Sequence, residues 1–177
     1  DEASTCHPDR PGSHNAYRGE QWLLENCPQS IILRPAGIYG PNRTPNVDAI
    51  RRGEVLVAEP ESYLNLIHVD DLVAIILKIA QANHVPNRIY NVADGSPVMR
   101  RDYYRYLANR VGGPEPTYSV STPEAAKSSQ RSVEANEPKV RSRSQSSKRI
   151  DVARLNRDFA ISLEYPSFRD GLQHLLP

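Results

Sequence analysis

The 177-residue sequence lacks the features that mark several large classes of protein. Its two cysteines, Cys6 and Cys27, are too few for a disulfide framework, so a reduced, cytoplasmic protein is expected. The formal net charge of +1 gives no overall field to attract nucleic acid or a membrane surface. No apolar run approaches the roughly 18 residues of a membrane-spanning helix, and the first residues do not resemble a signal peptide. The composition therefore predicts neither nucleic acid nor a membrane as a partner.

A glycine-rich loop of the Gly-x-Gly-x-x-Gly type is also absent from the sequence. Such a loop lets backbone N–H groups and a helix N-terminus hold the pyrophosphate of a dinucleotide. The sequence therefore supplies no phosphate cradle of this kind.

What the sequence does contain is a short apolar run that is closed by turn-forming residues, at positions 30–41. Residues 31–33 have the length of a buried strand, and proline and glycine recur from 35 to 41. Ligands of open α/β sheets bind beyond the carboxyl ends of the strands. The loop over residues 34–43 is therefore the first place where we expect a site.

Four stretches, in this order, carry a resemblance to a known family. They are Leu33-Arg34-Pro35-Ala36-Gly37-Ile38-Tyr39-Gly40-Pro41, then Ile67-His68-Val69-Asp70-Asp71-Leu72, then Ile89-Tyr90-Asn91-Val92-Ala93-Asp94-Gly95, and the C-terminal segment 154–172. Together they resemble the extended short-chain dehydrogenase/reductases, the NAD-dependent epimerase/dehydratase group. The resemblance covers most of the chain except about residues 117–147.

The resemblance implies an α/β fold, namely the C-terminal part of a Rossmann-type parallel sheet with a small substrate-binding subdomain. Residues 1–116 and 148–177 would form this C-terminal half, and residues 117–147, rich in serine and arginine, are expected to be a disordered insertion. The family's dinucleotide-binding part has no counterpart in the sequence. We expect a fragment of a longer protein, with a complete but degenerate gene product as the alternative.

The local patterns predict a helix over residues 16–26, a strand over 31–33, a short helix over 46–52 and a strand over 63–67. A helix from about 71 to 81, apolar almost all round, is expected to be largely buried, with Asp70 as its N-cap. Further predictions are a strand over 88–92, a helix over 99–110, a helix over 151–158 and a final helix after Ser167.

Tyr17 is the catalytic candidate that the resemblance implies. The family pairs a tyrosine base with a lysine four residues later, where the positive charge lowers the pKa of the phenol. Four residues after Tyr17 stands Gln21, which carries no charge. If Glu20 instead matches the glutamate that follows the family's lysine, the lysine and tyrosine positions fall on Ala16 and Gly12. The competing interpretation of Tyr17 is an aromatic residue packed at the helix surface.

The resemblance also implies cofactor and substrate contacts. The backbone that faces the nicotinamide of NAD or NADP would come from Arg34, Pro35, Ala36, Gly37 and Ile38, while the missing N-terminal half would bind most of the cofactor. For Arg34 an ion pair at the strand end is an equal alternative. Substrate contacts are assigned to Tyr39, Asn42, Arg43, His68 and Arg149. The two arginines among them suit a phosphate or carboxylate.

No metal site is predicted, since the His68, Asp70 and Asp71 group lacks further convergent ligands. The implied function is the substrate side of an NAD(P)-dependent oxidoreductase that acts on a sugar nucleotide or a similar carbonyl or hydroxyl substrate. The alternative is a member that binds NAD(P) or senses redox state and has lost the tyrosine–lysine pair. A third interpretation is an inert remnant whose apolar helix lacks a covering sheet. A small-molecule substrate is the expected partner, and a homodimer is compatible with the sequence.

Overall fold

A computed structural model describes residues 1–8, 11–119 and 147–176 of the chain. The predicted disorder of the Ser/Arg-rich segment 117–147 falls almost entirely outside these residues. Six helices are described: α1 (Pro11–Asn26), α2 (Val47–Arg51), α3 (Val69–Ala80), α4 (Arg100–Val111), α5 (Ala153–Phe159) and α6 (Phe168–Leu175). The strands are β1 (Ile32–Pro35), β2 (Gly37–Tyr39), β3 (Leu56–Val57), β4 (Tyr63–Leu64), β5 (Leu66–His68), β6 (Ile89–Val92), β7 (Val98–Met99) and β8 (Tyr118–Ser119).

The chain divides into two compact units. Unit 1 is built from Asp1–Thr44, Asn65–Pro97 and Arg149–Leu176, and unit 2 from Pro45–Leu64 and Val98–Lys148. Unit 1 therefore contains the predicted loop at 34–43, and the two units are taken one at a time.

Two parallel strand pairs form the sheet structure of unit 1. β1 pairs with β6, with Ile32 opposite Ile89, and β2 pairs with β5, with Tyr39 opposite His68. Parallel strands need a crossover connection, and the chain that connects β1 to β6 includes α3. The observed architecture is thus mixed α/β with parallel strands.

The apolar core of unit 1 lies between these strands and the helices α3 and α5. Its buried members are Ile67, Leu72, Ile75, Ile79, Tyr90, Val92, Leu155 and Phe159. Tyr90 is fully buried, and its hydroxyl satisfies its polar end by donating to the Asp158 carboxylate at 2.9 Å. The predicted strand at 88–92 and helix at 151–158 are confirmed as β6 and α5, with α5 shifted by two residues at its start.

Unit 2 packs α2 and α4 beside two small strand pairs. β3 lies parallel to β8, whereas β4 is antiparallel to β7. Tyr103, Tyr104 and Leu107 on α4 are buried, and Asn46 donates from its amide to the Tyr104 hydroxyl at 2.9 Å. Gly112 ends α4 in the left-handed conformation that favours glycine, close to the end of the helix predicted over residues 99–110.

Four sequence predictions about helices and strands are wrong, and the fourth, the N-cap of α3, is described with the candidate site. α1 begins at Pro11 rather than after Asn15, because proline fits the first turn of a helix, where its missing N–H costs nothing. The predicted strand over 63–67 is broken at Asn65, since β4 and β5 pair with different strands.

The third correction concerns α3, which is buried on one face only. Ile75 and Ile79 are buried, but Val73, Ile76 and Leu77 are 49%, 44% and 53% exposed. The residues of unit 1 that the structure describes therefore cover half of this apolar helix. Within the described ranges, every helix is too short or too polar to pass through a lipid bilayer.

Candidate functional site

The candidate site lies where the parallel strands of unit 1 end. Successive residues between β1 and β2 donate their backbone N–H groups in opposite directions, one towards β6 and the next towards the start of β5. Ala36 N–H donates to the Val92 carbonyl at 2.8 Å, and Gly37 N–H donates to the Asn65 carbonyl at 3.0 Å. Asp94, just after β6, donates its backbone N–H to Leu66 at 2.8 Å. Residues 35–39 are thus fixed between β6 and β5, with their carboxyl-terminal loop at the same edge of the strands.

The loop after β2 is a tight turn from Gly40 to Arg43. Gly40 and Arg43 exchange backbone hydrogen bonds of 3.2 and 3.0 Å, with Pro41 and Asn42 between them. Asn42 has φ 61°, a conformation that asparagine tolerates at the third position of such turns. A Cβ on Gly40 would lie 2.6 Å from Cγ1 of Val69, so only glycine lets the loop approach α3 this closely.

Asn42 and Arg43 are both exposed at the tip of this loop. Arg43 Nε donates to the Ile38 carbonyl at 3.0 Å, which fixes the stem of the side chain. A guanidinium anchored in this way on an exposed turn is suited to a carboxylate or phosphate.

Tyr39 and His68 are adjacent at the strand ends and are not exposed. Tyr39 is fully buried, and His68 is 2% exposed. Their rings meet edge to face at 5.1 Å, and Tyr165 covers the other side of His68 at 4.0 Å between ring centroids. In this structure the two predicted substrate residues therefore form the floor of the site rather than its surface.

His68, and not Asp70, is the N-cap of α3. Its Nδ1 accepts the Asp70 backbone N–H at 3.3 Å. The sequence prediction was wrong because α3 begins at Val69, two residues earlier than expected. Asp70 lies in the first helical turn with its side chain 61% exposed.

Two buried carboxylates lie beneath the site. Asp71 accepts the backbone N–H groups of Glu164 and Tyr165 at 2.7 and 3.0 Å, and it holds that segment against α3. Asp94 accepts the Ser96 N–H at 2.9 Å through one oxygen, while its Oδ2 is buried without a hydrogen-bond partner in the described part of the chain.

Burial controls the protonation of this floor. Burial raises the pKa of Asp94 to about 6, and the nearby Asp71 carboxylate adds to the shift. Burial, together with the charge of Asp94, raises the pKa of the Tyr39 phenol far above its ordinary value. Tyr39 therefore stays protonated and can donate a hydrogen bond, which it directs at the Ser167 carbonyl at 3.4 Å.

Arg34 forms the ion pair that the sequence left as one of two alternatives. Its Nε donates to Glu20 Oε2 at 3.0 Å, and a second nitrogen, Nη2, pairs with Glu20 Oε1. Hydrogen bonding to Glu20 raises the pKa of the guanidinium. The pair joins α1 to the end of β1, so the Arg34 side chain is committed to a partner within the chain.

The remaining predicted residues lie apart from this floor. Tyr17 is 36% exposed on α1, a helix with no fully buried residue along its length. Arg149 is exposed, next to Ile150, whose N–H donates to the Asn65 side chain at 2.7 Å. Their predicted roles in catalysis and substrate binding stay predictions.

Sequence reasoning missed Asp71, Asp94, Tyr165 and the partner role of Glu20. For Asp71 a signal was present. It lies four and eight residues before Ile75 and Ile79, on the buried stripe of α3. A charged residue at such a position needs a buried partner.

Comparison with known proteins places this architecture. No family model matches the chain. The protein named short-chain dehydrogenase/reductase family 42E member 1 is 33% identical to it in Danio rerio over 107 residues, which are 54% of this chain and 27% of the relative. The human counterpart is 31% identical over 102 residues. The match spans about a quarter of these curated relatives.

Solved structures align over nearly the whole chain. A Methylobacillus flagellatus protein, assigned provisionally as an NAD-dependent epimerase/dehydratase, is 28% identical with a TM-score of 0.71, over 99% of this chain and 56% of that one. UDP-glucose 4-epimerase of Thermotoga maritima, solved with UDP-glucose, is 19% identical with a TM-score of 0.75, over 98% and 54%. The Bordetella bronchiseptica enzyme WbmG, solved with NAD and UDP, is 16% identical with a TM-score of 0.71, over 99% and 52%.

The parallel strands and the helices beside them thus define a mixed α/β protein. It aligns with epimerase/dehydratase structures over about half of the length of those structures. The chain is a relative of the extended short-chain dehydrogenase/reductases, the NAD-dependent epimerase/dehydratase group.

Proposed function

We propose that this chain is the substrate side of an NAD(P)-dependent oxidoreductase that acts on a sugar nucleotide or a similar carbonyl or hydroxyl substrate. In this proposal, residues 1–116 and 148–177 form the C-terminal half of a Rossmann-type domain together with its substrate-binding subdomain. The segment 117–147 is an insertion within it. A homodimer and a small-molecule substrate complete the proposal, without nucleic acid or membrane.

The observation that carries the proposal is the Gly40–Arg43 turn at the carboxyl ends of parallel strands. Ligands of open α/β sheets bind at this position, and aligned structures of the same fold were solved with NAD and UDP or with UDP-glucose. Arg43 and Asn42 are exposed there. They would bind the phosphate or sugar hydroxyls of the substrate, with Arg149 as a further cation.

The five residues assigned to the nicotinamide, 34–38, could contact it through only some of their backbone groups. The backbone N–H groups of Ala36 and Gly37 already donate within the sheet, and Pro35 has none. This stretch can therefore offer carbonyl oxygens and apolar surface, which suit the carboxamide and ring of a nicotinamide. When bound, NAD or NADP would supply the hydride acceptor, and a partner half would hold its pyrophosphate.

Each residue of the floor has a supporting role in this proposal. Tyr39 and His68 are too buried to touch a substrate in this structure, so they position the turn and the start of α3. The high pKa of Tyr39 excludes it as a general base near neutral pH.

The test joins this chain to the part of the Methylobacillus flagellatus protein that does not align with it, and follows nicotinamide absorbance with UDP-glucose and related sugar nucleotides. We expect turnover, and we expect Arg43→Ala to raise KM by about tenfold through the loss of a charged contact. Arg105→Ala, which removes an exposed arginine paired with Glu115, is the matched control and should change nothing. A chimera that binds no sugar nucleotide contradicts the proposal.

A second function is favoured by one specific observation, the loss of the catalytic lysine. If Tyr17 is the family's tyrosine, Gln21 occupies the lysine position four residues later. If Glu20 is the family's glutamate, Ala16 occupies the lysine position. This favours a member that binds NAD(P) or senses redox state without catalysis. In the same chimera it predicts NADH or NADPH binding without hydride transfer.

A further inference from the structure

A short segment between α5 and α6, residues 164–167, crosses the floor of the candidate site. Pro166 supplies no N–H and keeps the residue before it extended, so the segment lies outside helices and strands. Its other backbone groups then need partners from elsewhere in the fold. We call residues 164–167 the strap.

Side chains from three different elements hold the strap. Asp71 on α3 accepts the N–H groups of residues 164 and 165. The Ser96 hydroxyl, in the loop after β6, donates to the Pro166 carbonyl at 3.0 Å. The Tyr39 hydroxyl, at the end of β2, donates to the Ser167 carbonyl at 3.4 Å. Because Ser96 is exposed and the Tyr39 bond is long, the strap should open at a lower free energy than the paired strands beneath it.

The strap covers His68. The ring centroid of Tyr165 lies 4.0 Å from that of His68, which is only 2% exposed. The Nε2 atom of His68 lies beside the next turn of the site, 3.6 Å from the position that a Cβ on Gly40 would occupy. His68 therefore borders the Gly40–Arg43 turn, but the strap closes it to solvent and to any ligand at that turn.

Asp94 and the strap share Ser96. Oδ1 of Asp94 accepts the Ser96 N–H at 2.9 Å, while the hydroxyl of the same serine holds Pro166. Oδ2 is buried without a hydrogen-bond partner in the described part of the chain. A protonated carboxyl group tolerates such burial far better than a carboxylate does. Burial and the Asp71 charge accordingly raise the pKa of Asp94 to about 6.

The groups around Asp94 do not favour its ionisation. The Asp71 carboxylate repels a second negative charge, and the Tyr39 phenol stays protonated near neutral pH. The titratable groups of this floor are Asp71 on α3, Tyr39 on β2, His68 on β5, Tyr165 on the strap and Asp170 on α6. Most of them are carboxyls or phenols. An ionised Asp94 is therefore stabilised mainly by water, which reaches it when the strap lifts.

We infer that the strap is a pH-operated cover, which lies over His68 while Asp94 is protonated and opens when Asp94 ionises. The open state gives Asp94 the ordinary pKa of a solvated carboxyl, below its value in the closed state, so a rising pH favours opening. Near neutral pH the open state gives a ligand at the Gly40–Arg43 turn access to His68. Access to His68 is independent of which substrate binds, so the cover stands apart from the proposed function.

Hydrogen exchange of the whole chain at pH 5 and pH 7, in low concentrations of urea, tests the cover. The amides of residues 164 and 165 should exchange through a local opening. Their protection factors should be lower than that of the Ala36 amide, which lies in the strand structure, and should hardly change with urea. They should fall about tenfold from pH 5 to pH 7, as expected when a pKa moves from about 6 to about 4 on opening.

Three variants locate the switch. Asp94→Asn cannot ionise and should abolish this fall, whereas Asp48→Asn, at a side chain 69% exposed, should retain it. At pH 7, Asp94→Asn should slow the reaction of His68 with diethyl pyrocarbonate by at least about tenfold and leave that of the exposed His84 unchanged. Ser96→Ala removes one tie without touching the ionising group, and it should speed exchange at 164 and 165 about two- to tenfold at both pH values.

Four results would overturn the cover. The amides at 164 and 165 could share the protection factor and urea dependence of Ala36, which would mean that the strap opens only when the whole protein unfolds. Their protection could be equal at pH 5 and pH 7, or the fall could persist in Asp94→Asn, and either result would remove Asp94 as the switch. An equal reaction of His68 in Asp94→Asn and the unsubstituted protein would show that the strap does not control access to this histidine.

Discussion

Gly171 on α6 lies directly against the phenol of Tyr39. A Cβ added at position 171 would lie 2.7 and 2.8 Å from ring carbons Cε2 and Cζ, and closer still to the hydroxyl oxygen. Tyr39 is fully buried between this helix and His68. The absence of a side chain at 171 thus lets the last helix pack onto the floor of the candidate site.

Gly171→Ala should destabilise unit 1. The phenol has no space to retreat, and overpacking of a buried contact costs about 1–3 kcal/mol even though alanine favours helices by about 1 kcal/mol over glycine. We expect a net loss of up to about 2 kcal/mol in the free energy of unfolding, measured by urea denaturation.

Gly19→Ala is the matched control for this substitution. Gly19 lies within α1, and an added Cβ meets nothing within 4 Å. It should raise stability by up to about 1 kcal/mol. Combining Gly171→Ala with Tyr39→Phe removes the nearest atom and should restore part of the loss. An alanine at 171 that is as harmless as one at 19 would refute the contact.

Asp71→Asn should destabilise the protein, whereas Asp70→Asn next to it should not. The Asp71 carboxylate accepts two backbone N–H groups, and an amide can accept only one of them without turning a donor toward the other. A buried unpaired donor costs about 1–3 kcal/mol, so unfolding should be easier by that amount. Asp70 is exposed, and its change should stay within about 0.5 kcal/mol. Equal effects of the two variants would show that Asp71 does not anchor residues 164–165.

Local patterns predicted parts of both units. The apolar run at 31–33, the tyrosine–asparagine–valine strand and the glycine at 112 each carry a short-range signal, and they became β1, β6 and the end of α4. The break at Asn65 could not be foreseen, because it depends on β4 and β5 choosing different partners far along the chain. Strand pairing of this kind is a tertiary property that no window of sequence contains.

The candidate site was predicted in position but not in detail. The turn at Gly40–Arg43 follows from its glycine and proline content. The buried state of His68 does not, since Tyr165 reaches it from almost 100 residues away. An aspartate before a glycine is typical of an exposed turn, yet Asp94, which precedes Gly95, is only 9% exposed. Its role depends on burial, which tertiary packing creates.

Glu20→Gln should destabilise the protein more than Glu54→Gln. The Glu20 carboxylate pairs with Arg34, and the two side chains are only 12% and 23% exposed. Removing the charge leaves a largely buried guanidinium poorly paired, which we expect to cost about 1–3 kcal/mol. The Glu54–Arg52 pair is 52% and 61% exposed, so its loss should cost clearly less than the loss of the Glu20–Arg34 pair. Thermal unfolding of both variants in low and high salt measures the difference, and equal losses would contradict a structural role of the Glu20–Arg34 pair.

Asp94 should make stability depend on pH. Its pKa is about 6 in the folded protein, against an ordinary value of 3.8 for an unperturbed aspartate. The folded state therefore holds the proton more tightly than the unfolded state, and stability falls as the pH rises from about 4 to about 6. Above pH 6 Asp94 is ionised in both states, and its burial lowers the free energy of unfolding by on the order of 3 kcal/mol, at 1.36 kcal/mol per pKa unit.

Asp94→Asn should remove this dependence, because the amide cannot ionise and its oxygen can still accept the Ser96 N–H. Relative to the unsubstituted protein, the variant should gain about 2–3 kcal/mol in the free energy of unfolding between pH 4 and pH 8. Urea denaturation across this range measures the gain. Asp48→Asn, at a side chain 69% exposed, is the control and should leave the pH profile unchanged. If Asp94→Asn and Asp48→Asn give parallel pH profiles, the Asp94 carboxylate is solvated in solution, and the floor beneath the Gly40–Arg43 turn is open to water.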